Sequence, residues 1–228
     1  MPIKTGLSKL DALLKDGIPG KSSMLILGPP KSGKTILGIH FLFEGLRNNE
    51  YGIYVVTNTF PEDLVKRFDS IGDVEEPLQK GLLKFVDCYT IYTGVQKENT
   101  VFVIRVNGPT ALTEIGIAFS QIMKKIPKNS NVRVIFDSIS TLLLHNTPKT
   151  VESFVQSMNG KIKGFGAVSM FIMEEGMHDQ KDVTTINSLL DALIHLKKEG
   201  EERQIEINGF GLDETVKYSL VDGKIICR

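Results

Sequence analysis

Eight consecutive residues, Gly28-Pro29-Pro30-Lys31-Ser32-Gly33-Lys34-Thr35, carry the clearest chemistry in the chain. Glycine at the first and sixth places lets the backbone turn sharply and aim several N–H groups into one concavity, because no Cβ blocks the approach. Lys34 then sets a positive charge against the β and γ phosphates of a nucleoside triphosphate, and Thr35 offers its hydroxyl to Mg²⁺. A helix opening at this point presents its positive end to the same anion. The spacing G-x-x-x-x-G-K-[ST] is matched at every fixed position, so residues 28–35 are the expected phosphate-binding loop (P-loop), with ATP (or ADP) and Mg²⁺ as its expected ligands. Such a loop needs a second acid for the metal, at the end of a neighbouring strand. The run 132–137, VRVIFD, ends in one. Asp137 is the expected companion of Thr35 at the Mg²⁺, acting through bound water.

A phosphate loop works only between a strand and a helix, and the flanking residues supply both. Residues 24–28 are a short apolar run, and 34–47 carry apolar side chains at helical spacing. Further buried strands are expected at 52–57, 82–89, 100–106, 132–138 and 168–173. Helices are expected from Pro61, over 109–126 and over 149–163, with a polar loop at 174–182. Beyond residue 190 the pattern changes to short alternating runs separated by Glu-Gly, Asn-Gly and Asp-Gly, the signature of antiparallel hairpins. Alternating elements followed by hairpins predict an α/β fold: a mainly parallel central sheet flanked by helices, with antiparallel strands at the C-terminal end. No repeat, low-complexity tract or linker interrupts the pattern, so residues 1–228 are expected to form one domain.

Composition narrows the function classes. Twenty-seven basic and twenty-seven acidic side chains cancel, so no global field draws the molecule to nucleic acid or to an anionic membrane. The longest apolar runs are too short to span a bilayer and no secretory h-region opens the chain, which sets the expectation of a soluble, cytoplasmic protein. Cys88 and Cys227 lack metal or redox spacing and are expected to be free thiols. His40, His145, His178 and His195 share no metal-ligand spacing, and Ser138 lacks the histidine–acid pair a nucleophile requires. Lys124, Lys125 and Lys128 read as cations favoured at a helix C-terminus.

The stretch TGLSKLDALLKDGIPGKSSMLILGPPKSGKT at 5–35, followed in order by IYVVT, VRVIFDSIS, VSMFIMEEG and LLDALIHL, resembles the KaiC/RadA-type branch of the RecA-like P-loop ATPases over nearly the whole chain. That resemblance implies a RecA-like core and self-association, commonly a ring with ATP close to the subunit interface. It also exposes two departures. The family's paired glutamates before the proline, which polarise the attacking water, are replaced by Asn58 and Thr59 in VVTNTFPEDL. The family's C-terminal Lys-x-Arg, which reaches a neighbour's γ-phosphate, is replaced by Asn208 and Phe210 in IEINGFGLD. A cation supplied across an interface is worth orders of magnitude in phosphoryl transfer, and phenylalanine has none to give.

The expectation is therefore an ATP/Mg²⁺-binding regulatory or scaffold protein with weak or absent hydrolysis and a protein partner the sequence does not name. Should hydrolysis occur, Glu174 and then Glu62 are the candidate catalytic bases, although Glu174 also reads as a solvated loop acid. The alternatives are an active ATPase with one of those bases, aided by Arg203 or Lys217, or a RadA-paralogue-like DNA repair accessory. The segments corresponding to DNA-facing loops, 145–150 and 174–185, hold one lysine and one lysine against four acids, too little for phosphate contacts. DNA is not an expected partner.

Overall fold

The computed structural model describes residues 2–228. Its elements run α1 (Ser8–Leu13), β1 (Ser23–Gly28), α2 (Lys34–Arg47), β2 (Tyr51–Val56), α3 (Pro61–Phe68), α4 (Glu75–Gln79), β3 (Leu83–Asp87), β4 (Val103–Arg105) and α5 (Leu112–Lys125). There follow β5 (Val132–Asp137), α6 (Ile139–His145), α7 (Pro148–Gly164), β6 (Val168–Glu174), α8 (Gln180–Ser188), β7 (Ala192–Glu199), β8 (Glu202–Gly209), β9 (Leu212–Val221) and β10 (Lys224–Cys227). All ten strands join one sheet in the order β10-β9-β8-β7-β1-β6-β5-β2-β3-β4. Every pairing from β7 to β4 is parallel, whereas β7–β8, β8–β9 and β9–β10 are antiparallel. This is the α/β, RecA-like architecture expected from the sequence, hairpin tail included.

Parallel strands buried on both faces need apolar side chains at every position, because successive residues point to opposite sides. In β1, Met24 and Ile26 enter one core cluster with Leu37 and Phe41 of α2 and Leu64 and Phe68 of α3. Leu25 and Leu27 enter the other with Ile115 and Phe119 of α5, Val155 of α7 and Val183 of α8. Burying each such side chain contributes about 1.5–3 kcal/mol, so the two layers fix the central strands firmly.

Four local expectations change. The segment 174–182 is not a loop throughout: Glu174 completes β6 and α8 begins at Gln180. The helix buries only Val183 and Ile186, too few apolar residues to display a period. The short helix α6 was equally silent; Ser138 caps it, its Oγ accepting from the Thr141 N–H at 3.3 Å. The strand expected over 100–106 shrinks to the three residues of β4. Thr100 Oγ1 takes the Val103 N–H at 3.1 Å and Asn99 Oδ1 takes that of Arg105 at 2.7 Å, so side chains hold a turn where a ladder would have run. Asn208-Gly209 lies inside β8, and the reversal falls at Phe210-Gly211, with φ of 56° and 73°. Among the described residues no helix is long and apolar enough to cross a membrane.

Candidate nucleotide-binding site

β1 ends at Gly28 and α2 begins at Lys34, so the eight-residue motif wraps from a strand tip into a helix N-terminus. A Cβ on Gly28 would stand 2.5 Å from the Leu196 carbonyl oxygen and 2.9 Å from Ser32 Oγ, which leaves room only for glycine. Gly33, the N-cap of α2, has φ of 102°, a backbone region that L side chains rarely adopt. No side chain caps α2, so its first-turn N–H groups are left to an external acceptor. These features fit a bound phosphate chain.

Lys34 is folded back over its own loop. Its Nζ donates to the Gly28 carbonyl at 2.8 Å and the Pro29 carbonyl at 2.7 Å, and it meets Glu174 Oε2 at 3.0 Å. The side chain is only 6% exposed, and that of Glu174 23%. Glu174, read from the sequence as a possible loop acid, is instead the last residue of β6, and its N–H donates to Ser140 Oγ at 2.8 Å. Strand order explains the encounter. β6 lies between β1 and β5, and Gly28 is in register with Glu174, so the tips of β1, β6 and β5 stand side by side.

Asp137 ends β5. Its Oδ2 accepts from Thr35 Oγ1 at 2.8 Å and from the Tyr54 hydroxyl at 2.7 Å. Burial pushes the Asp137 carboxyl up, and the two hydrogen bonds with the charges of Arg67 and Lys34 only partly offset that. Burial and then the Asp137 charge drive the Tyr54 phenol well above its ordinary value, so it remains a donor. A threonine hydroxyl and a carboxylate in contact, both oxygen ligands, suit Mg²⁺. When bound there, the ion would neutralise phosphate charge; Thr35 and Asp137 would hold it, with Tyr54 orienting the carboxylate.

Glu62 is placed differently. It lies in the first turn of α3, 49% exposed at its side chain, with Oε1 3.0 Å from Lys97 Nζ and 3.4 Å from Arg105 Nη2. Partial burial raises its carboxyl, but its backbone bond and those two cations outweigh this and hold it below the usual range. No hydrogen bond or ion pair joins it to residues 28–35 among the described residues. Asn58 and Thr59 occupy the bend between β2 and α3, and Asn208 and Phe210 the end of the β8–β9 hairpin.

Three participants escaped the sequence reading: Tyr54, Ser140 and Tyr218. The Tyr218 hydroxyl donates to the Ser32 carbonyl, and Leu220 packs against Gly33, so β9 braces the loop from outside. A tyrosine inside an apolar strand is the one available signal, since its buried hydroxyl must find a partner. Glu175 N–H donates to Gly28 O at 2.9 Å, while its side chain meets His195 at 3.0 Å. The segments considered for DNA share a cleft lined by Lys149 and Lys181 but equally by Glu152 and Asp182. Among the described residues no cluster of three or more His, Cys, Asp or Glu could hold a metal, and both cysteines are free.

A family model described as "ATPase: KaiC" matches residues 3–212. A UPF0273 protein of Pyrococcus horikoshii is 31% identical over 174 residues, covering 75% of this chain and 68% of its own. A UPF0273 protein of Pyrococcus furiosus is 30% identical with the same coverage of each chain. Among solved structures, the KaiC-like protein PH0186 of Pyrococcus horikoshii superposes with a TM-score of 0.80 over 100% of this chain and 99% of its own, at 17% identity.

Proposed function

Because this chain belongs to the KaiC family of ATPases, we propose that it is a nucleotide-gated regulatory or scaffold component that binds ATP with Mg²⁺ and hydrolyses it slowly, if at all. One contrast carries the reading: the groups suited to holding a triphosphate converge at residues 28–35 and Asp137, while Asn58, Thr59, Asn208 and Phe210 offer neither base nor cation. Gating follows from Lys34. Its ammonium must leave the Gly28 and Pro29 carbonyls and Glu174 to meet a γ-phosphate, so filling the site frees a carboxylate at the tip of β6. The chain acts as one domain, and self-association with ATP near the interface, together with an unidentified protein partner, completes the proposal.

The test is phosphate release from ATP and Mg²⁺ beside Lys34→Ala, with bound nucleotide quantified in parallel. Retention by the wild type with release below about 10⁻² s⁻¹, the range of P-loop proteins without a supplied cation, is the expected result. Fast release that depends on Lys34 would overturn it. A second reading, an active ATPase with Glu174 as base, is favoured by the position of that carboxylate 3.0 Å from Lys34. Glu174→Gln abolishing turnover with ATP still bound would establish it.

A further inference from the structure

The N-terminal ends of the parallel strands lie at the opposite end of the sheet from residues 28–35, and they hold a second cleft of about 540 Å³. Small-molecule sites span about 300–1,000 Å³, so the volume is in range. The turn at 79–81, the end of α5 and the segment 100–104 wall it, with Tyr51 at the start of β2 contributing from the sheet. Its apolar surface comes from Phe102, Ile122 and Ile126, and from Val101, which at 79% exposed is the most solvent-open large apolar residue among the described residues.

The charge in the cleft is one-sided. Lys80, Lys84 and Lys125 line it and no carboxylate does. Lys80 has a partner in Glu76 at 2.6 Å, outside the lining. Among the described residues, neither Lys84 nor Lys125 has a carboxylate within ion-pair distance. Lys84 gives one N–H to the Val101 carbonyl at 2.9 Å and lies 6.0 Å from the Phe102 ring centroid. An ammonium has three donors, so two remain for a ligand. Gly81, with φ of 71°, lies beside this lysine, and a Cβ there would stand 3.1 Å from Lys84 Nζ. Burial and then the like charge of Lys125 disfavour the Lys84 ammonium, and a bound anion would offset both.

Unpaired cations set beside exposed apolar side chains in a walled cleft define a ligand with both characters. We propose that this cleft binds a small organic anion, a carboxylate or phosphate monoester joined to an apolar body, at a site separate from the nucleotide loop. The head group meets Lys84 and Lys125 while the body covers Val101, Phe102 and Ile122. A carboxylate and a phosphate monoester offer the same chemistry to two ammonium groups, and the experiment distinguishes them.

Decanoate and octyl phosphate are titrated calorimetrically into the full-length protein below their micellar concentrations. Acetate, inorganic phosphate and decyltrimethylammonium serve as comparisons lacking the tail or the negative head. The expected result is saturable one-to-one binding of decanoate, octyl phosphate or both, with the comparisons at least tenfold weaker. Lys84→Glu/Lys125→Glu should weaken the binding at least tenfold while ATP retention is unchanged, and Val101→Asp should do the same. Both substitutions are at exposed or half-exposed positions, and a thermal melt matching wild type shows that each variant is folded. Equal binding of decyltrimethylammonium, or unchanged affinity in the charge-reversed variant, would overturn the proposal as unspecific apolar adsorption. Binding that a short acidic, aromatic peptide shows and neither amphiphile does would also overturn it, making the cleft a protein-docking surface. Loss of ATP retention in Lys34→Ala with decanoate binding intact separates this site from the nucleotide reading.

Discussion

The tip of β6 and the first turn of α3 each present a glutamate, and the two regions use it in opposite ways. Glu174 is fixed by the ladder: β6 is paired on both sides, its N–H is held by Ser140, and register with Gly28 delivers the carboxylate to Lys34. Glu62 stands on an eight-residue helix, half in solvent, tied to Lys97 and Arg105 near the β3–β4 edge. A strand tip in a parallel sheet positions an acid through backbone pairing, whereas an exposed helical turn leaves it to whichever cation reaches it first. That is why RecA-like chemistry, were it to occur here, would be expected at the strand tips.

Loss of the loop lysine tests whether the strand tips form the site at all. Lys34→Ala removes a nearly buried ammonium and strands Glu174 as an unpaired, mostly buried carboxylate. ATP affinity, measured by equilibrium dialysis with Mg²⁺, should fall at least about 100-fold, or about 3 kcal/mol. A loss below tenfold would break the comparison, since the loop end would then hold nothing that α3 lacks.

Behind the loop, α2 is pinned to the hairpin tail, and that anchor carries a pH dependence. His40 Nε2 accepts from the Ile225 N–H at 3.1 Å. Burial, and then the charge of Lys224, lowers its pKa from 6.5 to about 4. The unfolded chain therefore binds an additional proton between those values. The contribution is complete above about pH 6.5 and is lost as pH falls towards 4, amounting to about 2 kcal/mol after allowance for partial solvent contact. Denaturant midpoints at pH 7.5 and 4.5 should differ less in His40→Gln than in wild type. An equal difference would show that the loop end is held by something other than this anchor.

Glu174→Gln sharpens the contrast by removing a competitor for Lys34. The neutral amide cannot compensate the ammonium, so the lysine is freer to meet phosphate, and ATP affinity should rise about threefold to tenfold, roughly 1 kcal/mol. Weaker binding would mean that Glu174 helps to hold the ligand or its metal, and the gating role assigned to the pair would fail.

Legibility in the sequence divides along the same line. Residues 28–35 were readable because the spacing is local and each position has a stereochemical reason, and Asp137 because an apolar run ending in an acid needs no knowledge of its neighbours. The Lys34–Glu174 pair was not readable: it depends on β6 being laid beside β1, with Gly28 opposite Glu174 far along the chain, and periodicity is silent on strand order. The Tyr218 brace depends likewise on a hairpin tail meeting a loop 186 residues away. α8 stayed hidden because Val183 and Ile186 are its whole buried face, and β4 came out short because Asn99 and Thr100 took its N–H groups.

Glu62→Gln should change little. Glu62 is half-exposed in both of its ion pairs, although Arg105 itself is buried, and pairs with an exposed member contribute about 0–1 kcal/mol, so stability should shift by less than about 1 kcal/mol. Arg105 keeps Asp87 3.3 Å away after the change, so no buried charge is left alone. ATP affinity and whatever phosphate release exists should match wild type within twofold, because among the described residues Glu62 pairs with Lys97 and Arg105 and with no residue of the loop. A drop in release of tenfold or more, with affinity unchanged, would require α3 to swing towards bound nucleotide. The contrast between strand tip and helical turn would then fail for catalysis, and Glu62 would replace Glu174 as the candidate base.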